Sequence, residues 1–368
     1  MTKLFNSVGQ LTRSCVLAFL VLGVGVACVT YAAERDPRDA ALPTQVPGII
    51  QKIIAFDKAA KKADKPYRLA YLAEGGANSY GKARDRGYAD AAKKYGFTIK
   101  AYDAQFNPQV QLKNAQDAAQ EKFDGYLFAP TADAAGCKIW KDFLVPTKKP
   151  VVSLDLTMCG DADYTPGLAA TVTMQSQAYY DFHVERAFAA ACEGRSVCKG
   201  VSLSGFAGSD LFARWDKAIE NGLRKYPNVK MVSRREAKFD VRISEQITQD
   251  ALQAHHDLAF VVSHYDDMSV GAVAAIKAAG LVPGKDVKIY STAANSLGLQ
   301  QVAAGIYNET TMLLPYEEGY YSAVAMMMAL AGQPINGYVN LKDMPSVTDG
   351  PDTILITKEN MDKFKPKW

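Results

Sequence analysis

The chain lacks an excess of charge of either sign. Its 42 Lys and Arg stand against 39 Asp and Glu, a net charge of +3 over 368 residues. Like charges occur only in short pairs, so there is no basic stripe of the kind a nucleic-acid partner requires. Histidine is scarce. The four present, His183, His255, His256 and His264, do not form a ligand set, and no His or Cys falls at the spacing of a zinc finger. A nucleophile elbow of the form G-x-S-x-G is missing too; GVSLSG at 200–205 comes nearest and fails the pattern. Without a nucleophile–base pair the sequence carries no sign of catalysis. It calls for no cofactor and no metal.

Long apolar runs are also lacking, with one exception at the N-terminus. Lys3 and Arg13 precede the apolar stretch Cys15–Val29, and Thr30 and Ala32 occupy the small-residue positions of a cleavage site. The chain turns polar directly afterwards, and a membrane span needs about 20 apolar residues with different flanks. Residues 1–32 therefore read as a signal peptide, and the expected location of the mature chain is the periplasm. Lipidation at Cys28 is the alternative, with Gly25 a poor residue for that motif; a retained anchor is another.

One motif imitates an enzyme. From Gly76 the chain reads G-x-x-x-x-G-K followed by Ala83, between an apolar strand-like run and a segment of helical spacing. A P-loop ends in Ser or Thr, whose hydroxyl holds magnesium. Ala83 removes that hydroxyl, and exported compartments hold little ATP. The stretch reads as an ordinary strand-to-helix loop.

Of six cysteines, Cys15 and Cys28 lie in the signal. The remaining four, Cys137, Cys159, Cys192 and Cys198, suit pairing in an oxidising compartment. Cys192 and Cys198 flank a turn and read as a local bridge. Cys137 and Cys159 are expected at one edge of one sheet, and hence as the second bridge.

Residues 33–66 form an N-terminal extension with an amphipathic segment around Ile50, Ile53 and Ile54. From Tyr67 onward ten apolar runs of strand length alternate with amphipathic runs of helix length. Such alternation predicts an α/β fold of parallel sheets covered by helices on both faces. Ten or more strands are many for one sheet, so two doubly wound lobes are expected. The boundaries expected are 67–160 plus 315–338 for the first lobe and 161–314 plus 339–368 for the second.

The ordered set of segments resembles the ribose-binding-protein type of periplasmic solute receptor, the type I periplasmic binding protein architecture. ANSYGKARDRGYADAAKKYGF is similar to the family's first loop and helix. FDGYLFAPTADAAG, KPVVSLDLT and LSGFAGSDLFARWDKAIENGL follow in the family's order, and AFVVSHYDDMSVGAVAAIKAAG is the nearest match. The resemblance runs from about Tyr67 to Ile356. It implies two lobes joined by a multi-segment hinge, closing on a small-molecule ligand and delivering it to the permease of an ABC importer. A sensory protein that docks on a chemoreceptor or sensor kinase is the alternative. The related sugar-responsive repressors carry a DNA-binding front and no export signal, unlike this chain. A monomer is expected.

By the same resemblance the ligand-binding residues are Asn78, Ser79, Tyr80, Thr131, Asp133 and Asp155 from the first lobe. From the second come Phe206, Asp210, Arg214, Tyr265, Asp266 and Asn295, with Tyr316 and Glu317 after a crossing segment. Other readings stand beside these. Asp266–Asp267 suits a helix N-cap and first-turn acid, Tyr80 suits core packing, and Met326–Met328 suits core filling. His255–His256 reads as a solvated helix end, while His264 is within reach of the cleft. The chain departs from the family's sugar sites where Tyr265 replaces an Asn, Ala293 an Asp, Leu313 a hinge Gln and Leu156 an Arg. A buried hydroxyl left unpaired costs about 1–3 kcal/mol. These losses imply a ligand with fewer hydroxyls or more apolar, planar character than a plain sugar.

Overall fold

The computed structural model describes residues 48–62, 65–76, 78–161, 163–350 and 353–368. The signal-peptide reading, and the extension up to residue 47, lie outside the described residues. Among the described residues no helix is long and apolar enough to cross a membrane.

The chain begins with α1 (Ile49–Ala59), β1 (Arg68–Ala73), α2 (Ser79–Tyr95), β2 (Thr98–Asp103), α3 (Pro108–Gln120), β3 (Gly125–Phe128), α4 (Asp133–Ile139), β4 (Val151–Leu154) and β5 (Ala170–Thr173). It continues through α5 (Gln177–Cys192), β6 (Cys198–Ser204), α6 (Asp210–Lys225), β7 (Val229–Glu236), α7 (Val241–Ala254), β8 (Leu258–Ser263), α8 (Asp266–Ala278) and β9 (Lys288–Ala293). The last elements are α9 (Ser296–Ala303), β10 (Glu309–Met312), α10 (Pro315–Leu330), β11 (Tyr338–Asn340), α11 (Pro345–Thr348) and β12 (Leu355–Ile356).

Two six-stranded sheets result. Their orders are β11-β5-β4-β3-β1-β2 and β12-β10-β9-β8-β6-β7. The pairing is parallel except between β10 and β12. Strands β3, β4, β5 and β8 are buried along their whole length, and this is why β3 and β8 read as near-continuous apolar runs rather than alternating ones. The edge strand β2 is exposed or half-exposed throughout.

Side-chain caps start most of the long helices. Asn78 accepts from the Gly81 N–H, Ser176 from Tyr179, Ser209 from Phe212, and Asn295 from Gly298. Gly96 closes α2 with φ 77°, a left-handed residue that glycine adopts without strain. The extension helix α1 packs on α10. Asp57 ties it down by accepting from Lys94 at 2.7 Å, Tyr95 at 2.8 Å and Tyr320 at 2.9 Å.

The expected lobe boundaries differ from sheet membership at two points. β5 lies beyond residue 160 and β11 runs past residue 338, yet both belong to the first sheet. Among the described residues the connection from β4 to β5 contains no helix, so a reading built on strand–helix alternation takes it for a lobe crossing. The chain crosses between sheets at 174–176, at 313–314, and between β11 and β12. β11 and β12, of three and two residues, are too short for periodicity to reveal.

Both expected disulfides are present, Cys137–Cys159 and Cys192–Cys198. Their sequence separations are 22 and 6 residues. Loop-closure entropy grows with the length of chain enclosed, so the two bridges are predicted to contribute about 3 and about 2 kcal/mol respectively. Denaturant titrations of the Cys137→Ser/Cys159→Ser and Cys192→Ser/Cys198→Ser double variants check this order; a larger loss from the shorter loop contradicts it.

Candidate functional site

The strands of both sheets point their carboxyl ends at one place, as open parallel sheets do at their ligand crevices. A small cavity of about 40 Å³ lies there. The first lobe contributes Glu74 after β1, Asn78 and Tyr80 at the start of α2, Phe106 after β2 and Asp155 after β4. The second contributes Leu211, Phe239, His264 and Tyr265, and Gln175 and Leu313 line the cavity from two of the crossings.

The lobes are closed on each other around this space. Ser79 Oγ lies 2.5 Å from Tyr265 Oη and donates to Asp267 at 3.0 Å. The Asp133 backbone N–H donates to the Asp210 carboxylate. Phe106 stacks on Phe206 with ring centroids 4.9 Å apart. The last residues strap the two lobes together. Ser296 N–H donates to Trp368 O at 3.0 Å and Arg86 to Lys367 O at 2.6 Å, while Lys367 pairs with Glu317 at 2.9 Å. The Trp368 ring packs against Tyr80 at 5.5 Å and Tyr265 at 6.1 Å.

Beneath the cavity lies a buried ionic cluster. The guanidinium of Arg84, fully buried, meets Glu74 at 2.7 Å, Glu318 at 3.5 Å and Asp155 at 3.9 Å. Tyr80 donates to Glu318 at 3.0 Å. The cluster depends on a close approach of α2 and α10. A Cβ on Gly87 would stand 2.2 Å from Tyr316 O, and one on Gly319 would stand 2.2 Å from Arg84 O. Glycine at both positions lets Arg84 and Glu318 meet.

One guanidinium cannot neutralise three carboxylates, and burial penalises their charged forms. Burial pushes Glu74 up to about 8 against the pull of Arg84. Burial, and then the charge of Glu318, raise Asp155 to about 7. Burial likewise lifts Glu318 to about 7, opposed by Arg84 and aided by Glu74.

A chain of hydrogen bonds leads from this cluster across the hinge. Gln175 donates through Nε2 to Asp155 and accepts through Oε1 from Tyr180 at 2.7 Å. The Tyr180 oxygen lies 3.1 Å from Nε2 of His264. Since the Tyr180 proton goes to Gln175, His264 must donate through Nε2, and its Nδ1 is an acceptor. Burial pushes His264 down to about 3, so the ring is neutral. It stacks on Trp215 at 4.7 Å.

Of the residues expected at the site, Asn78, Tyr80, Asp155 and Tyr265 line the cavity. Ser79 closes the rim, and Phe206 backs Phe106. Several others are placed elsewhere. Thr131 turns to Gln111, which accepts from its N–H at 2.9 Å. Asp133, Asp210 and Arg214 line a separate, more open groove, and Arg214 donates to Gln175 O and Thr157 Oγ1 at 2.9 and 2.6 Å. Asp266 is buried, accepting from Thr310 at 2.9 Å and from Asn295 N–H at 3.2 Å. Asn295 caps α9 and donates to Asp267 at 2.9 Å. Asp267 is a first-turn acid and not a cap, since Tyr265 holds the cap position. Tyr316 donates to Asp90 at 2.7 Å, and Glu317 holds the strap.

Glu74, Phe106, Gln175, Leu211, Phe239, Arg84 and Glu318 were not among the expected site residues. Glu74 had one signal, an acid directly after a buried apolar strand. Arg84 had another, its place between Tyr80 and Tyr88 on an i, i+4, i+8 stripe. The hinge Gln expected to be lost at Leu313 has a counterpart at a different crossing, Gln175.

The profile of the periplasmic binding protein domain family matches residues 69–334. Among curated relatives, galactofuranose-binding protein YtfQ of Escherichia coli is 25% identical over 230 residues, 60% of this chain and 69% of that protein. Ribose import binding protein RbsB of Salmonella typhimurium is 24% identical over 245 residues, covering 66% and 78%. Among solved structures, a Caulobacter myo-inositol binding protein bound to myo-inositol superposes with a TM-score of 0.69 at 21% identity, covering 83% of this chain and 97% of that one. A galactofuranose binding protein gives 0.67 at 20% identity, covering 81% and 96%. At these identities the superpositions carry the fold.

Removing the central cation should expose how much the cluster depends on it. Breaking a buried ion pair from one side costs about 3–5 kcal/mol, so Arg84→Met is predicted to lose that much stability at pH 8. The loss should shrink towards pH 6, because the three carboxyls then take up protons and stop repelling one another. Denaturant titrations at both pH values check this; a loss independent of pH contradicts it.

Proposed function

The chain belongs to the periplasmic binding protein domain family, and on that premise we propose that it is an exported solute receptor. Its two lobes enclose a small molecule and deliver it to the permease of an ABC-type importer. The observation that carries this reading is the cavity lined from both lobes at the strands' carboxyl ends. Ligand contacts fall to Asn78, Tyr80, Asp155 and Tyr265 from the expected set, joined by Glu74, Phe106, Phe239 and His264. The hinge consists of the three crossings. Ligand favours the closed form because only that form offers both walls at once. Residues 1–32 direct the chain to the periplasm and are removed.

The names of the relatives point to sugars and a polyol: galactofuranose, ribose and myo-inositol. This chain's cavity departs from a plain sugar site in the aromatic Tyr265 and in the apolar Leu313. Its ligand is accordingly sugar-like or more apolar and planar. The sensory role uses the same closed form. Recovery of a permease, rather than a chemoreceptor or sensor kinase, with the liganded protein separates the two.

Thermal-shift screening against sugars, polyols, amines, nucleosides and aromatic acids tests the receptor reading. A ligand at a hundred times its Kd adds about 2.7 kcal/mol of stability. At least one solute should raise Tm, and Tyr265→Ala should weaken its binding at least tenfold while Thr131→Ala leaves it unchanged. No shift with any solute, or equal loss in both variants, contradicts the reading.

A further inference from the structure

Resting on the receptor reading, we propose that the solute taken into the interlobe cavity carries a protonated amine. The positive charge sits over the Glu74–Asp155 floor and between aromatic walls. Four observations point the same way.

The floor holds more negative than positive groups. Glu74, Asp155 and Glu318 surround Arg84, and among the described residues no Lys or Arg lines the cavity. The nearby Arg214, with its guanidinium on Gln175 O and Thr157 Oγ1, offsets part of the Asp155 charge and leaves three acids against two cations.

Two buried side chains lining the cavity keep an atom without a partner, and that of Glu74 is an acceptor once the carboxyl is ionised. Glu74 is 4% exposed and His264 is 3% exposed, and each keeps one bare atom, Oε2 and Nδ1 respectively. Buried acceptors of this kind are costly unless a donor reaches them. The donors lining the cavity are mostly engaged. Tyr80 donates to Glu318, Gln175 to Asp155, His264 to Tyr180, and Tyr265 lies on Ser79. Only the Asn78 amide stands outside that set. A neutral polyol needs donors as well as acceptors from its site, whereas an ammonium needs acceptors alone.

The walls are aromatic: Tyr80, Phe106, Phe239 and Tyr265, with Trp368 packed behind two of them. Ring faces attract a desolvated cation. Finally, the cation is organic. Among the described residues no group of three or more His, Cys, Asp or Glu is arranged to hold a metal ion.

Binding should also depend on pH. The groups facing Glu74 are Arg84 and Tyr88 from α2, Tyr71 from β1, Asp155 after β4 and Glu318 from α10, while Tyr80 faces Glu318 and Asp155. The tyrosines are pushed further up by burial and stay neutral. The carboxyls, raised to about 7 to 8, ionise as pH rises through that range. An alkyl ammonium such as that of putrescine stays protonated there, as the ammonium of a 2-amino sugar does not, so the affinity for putrescine should rise from pH 6 to pH 8.

Calorimetric and thermal-shift titrations with glucosamine, galactosamine and putrescine test this against glucose, galactose and N-acetylglucosamine. At least one amino sugar should bind at least tenfold more tightly than its neutral counterpart at pH 7, and putrescine should bind more tightly at pH 8 than at pH 6. Glu74→Gln should reduce that preference at least tenfold. The wild-type pH series stands alone if the variant fails to fold. Equal or tighter binding of a neutral sugar overturns the inference and leaves the receptor reading standing. Failure of every amine overturns it too, and the receptor reading then fails only if the broad solute panel is also blank.

Discussion

Arg84 is the group on which the rest of the structure turns. It sits on α2 with no exposure to water, and everything that holds it is an acid or an aromatic ring. Glu74 comes from the end of β1, Asp155 from the end of β4 and Glu318 from α10, so one guanidinium joins three separate elements of the first lobe. The ring faces of Tyr71 and Tyr80 lie 5.3 and 5.6 Å from its central carbon. A buried charge of this kind is tolerated only when paired. Here the pairing is incomplete on the acidic side, and the acids left over face the cavity. The structural ion pair and the floor of the cavity thus share Glu74 and Asp155.

The hinge is connected to that floor. Gln175 occupies the first crossing and contacts the acids through Asp155 and the second lobe through Tyr180 and His264. Opening the lobes must break the Ser79–Tyr265 and Phe106–Phe206 contacts, while this chain runs along the crossing and is free to persist. The strap of Lys367 and Trp368 adds a second tie between lobes, anchored on Ser296 in one and on Arg86 and Glu317 in the other. Backbone geometry is unusual at the same place. Asp155 with φ 66° and Ala293 with φ 127° are non-glycine residues in a region that favours glycine. Both stand at strand ends, where such conformations gather at functional sites.

Much of the fold was legible because burial on both faces writes long apolar runs into parallel strands. The ten long strands, the helices between them and both disulfides could be read in that way. The short strands β11 and β12 could not, since three and two residues carry no period. The cavity lining was legible in the first strand-to-helix loop, at Asn78 and Tyr80, and at the strand-end positions Asp155 and Tyr265. Arg84 was missed for a physical reason. A charged residue in a helix reads as a solvated face, and only the approach of α10 through Gly87 and Gly319 reveals that this one is buried. Tyr316 and Glu317 illustrate the converse. They follow a crossing segment, yet one binds Asp90 and the other holds the strap.

The central claim is that the cleft floor holds carboxyl groups lacking a countercharge until a ligand supplies one. Infrared titration of the unliganded protein tests it most directly, because a protonated carboxyl group has its own carbonyl stretch. With Glu74 at about 8 and Asp155 and Glu318 at about 7, the account predicts a buried carboxylic-acid band at about pH 6 that fades by about pH 9. The band should be reduced in Glu74→Gln. A spectrum in which every carboxyl group is already ionised at pH 6 would contradict the account, for the floor would then carry its charge unaided.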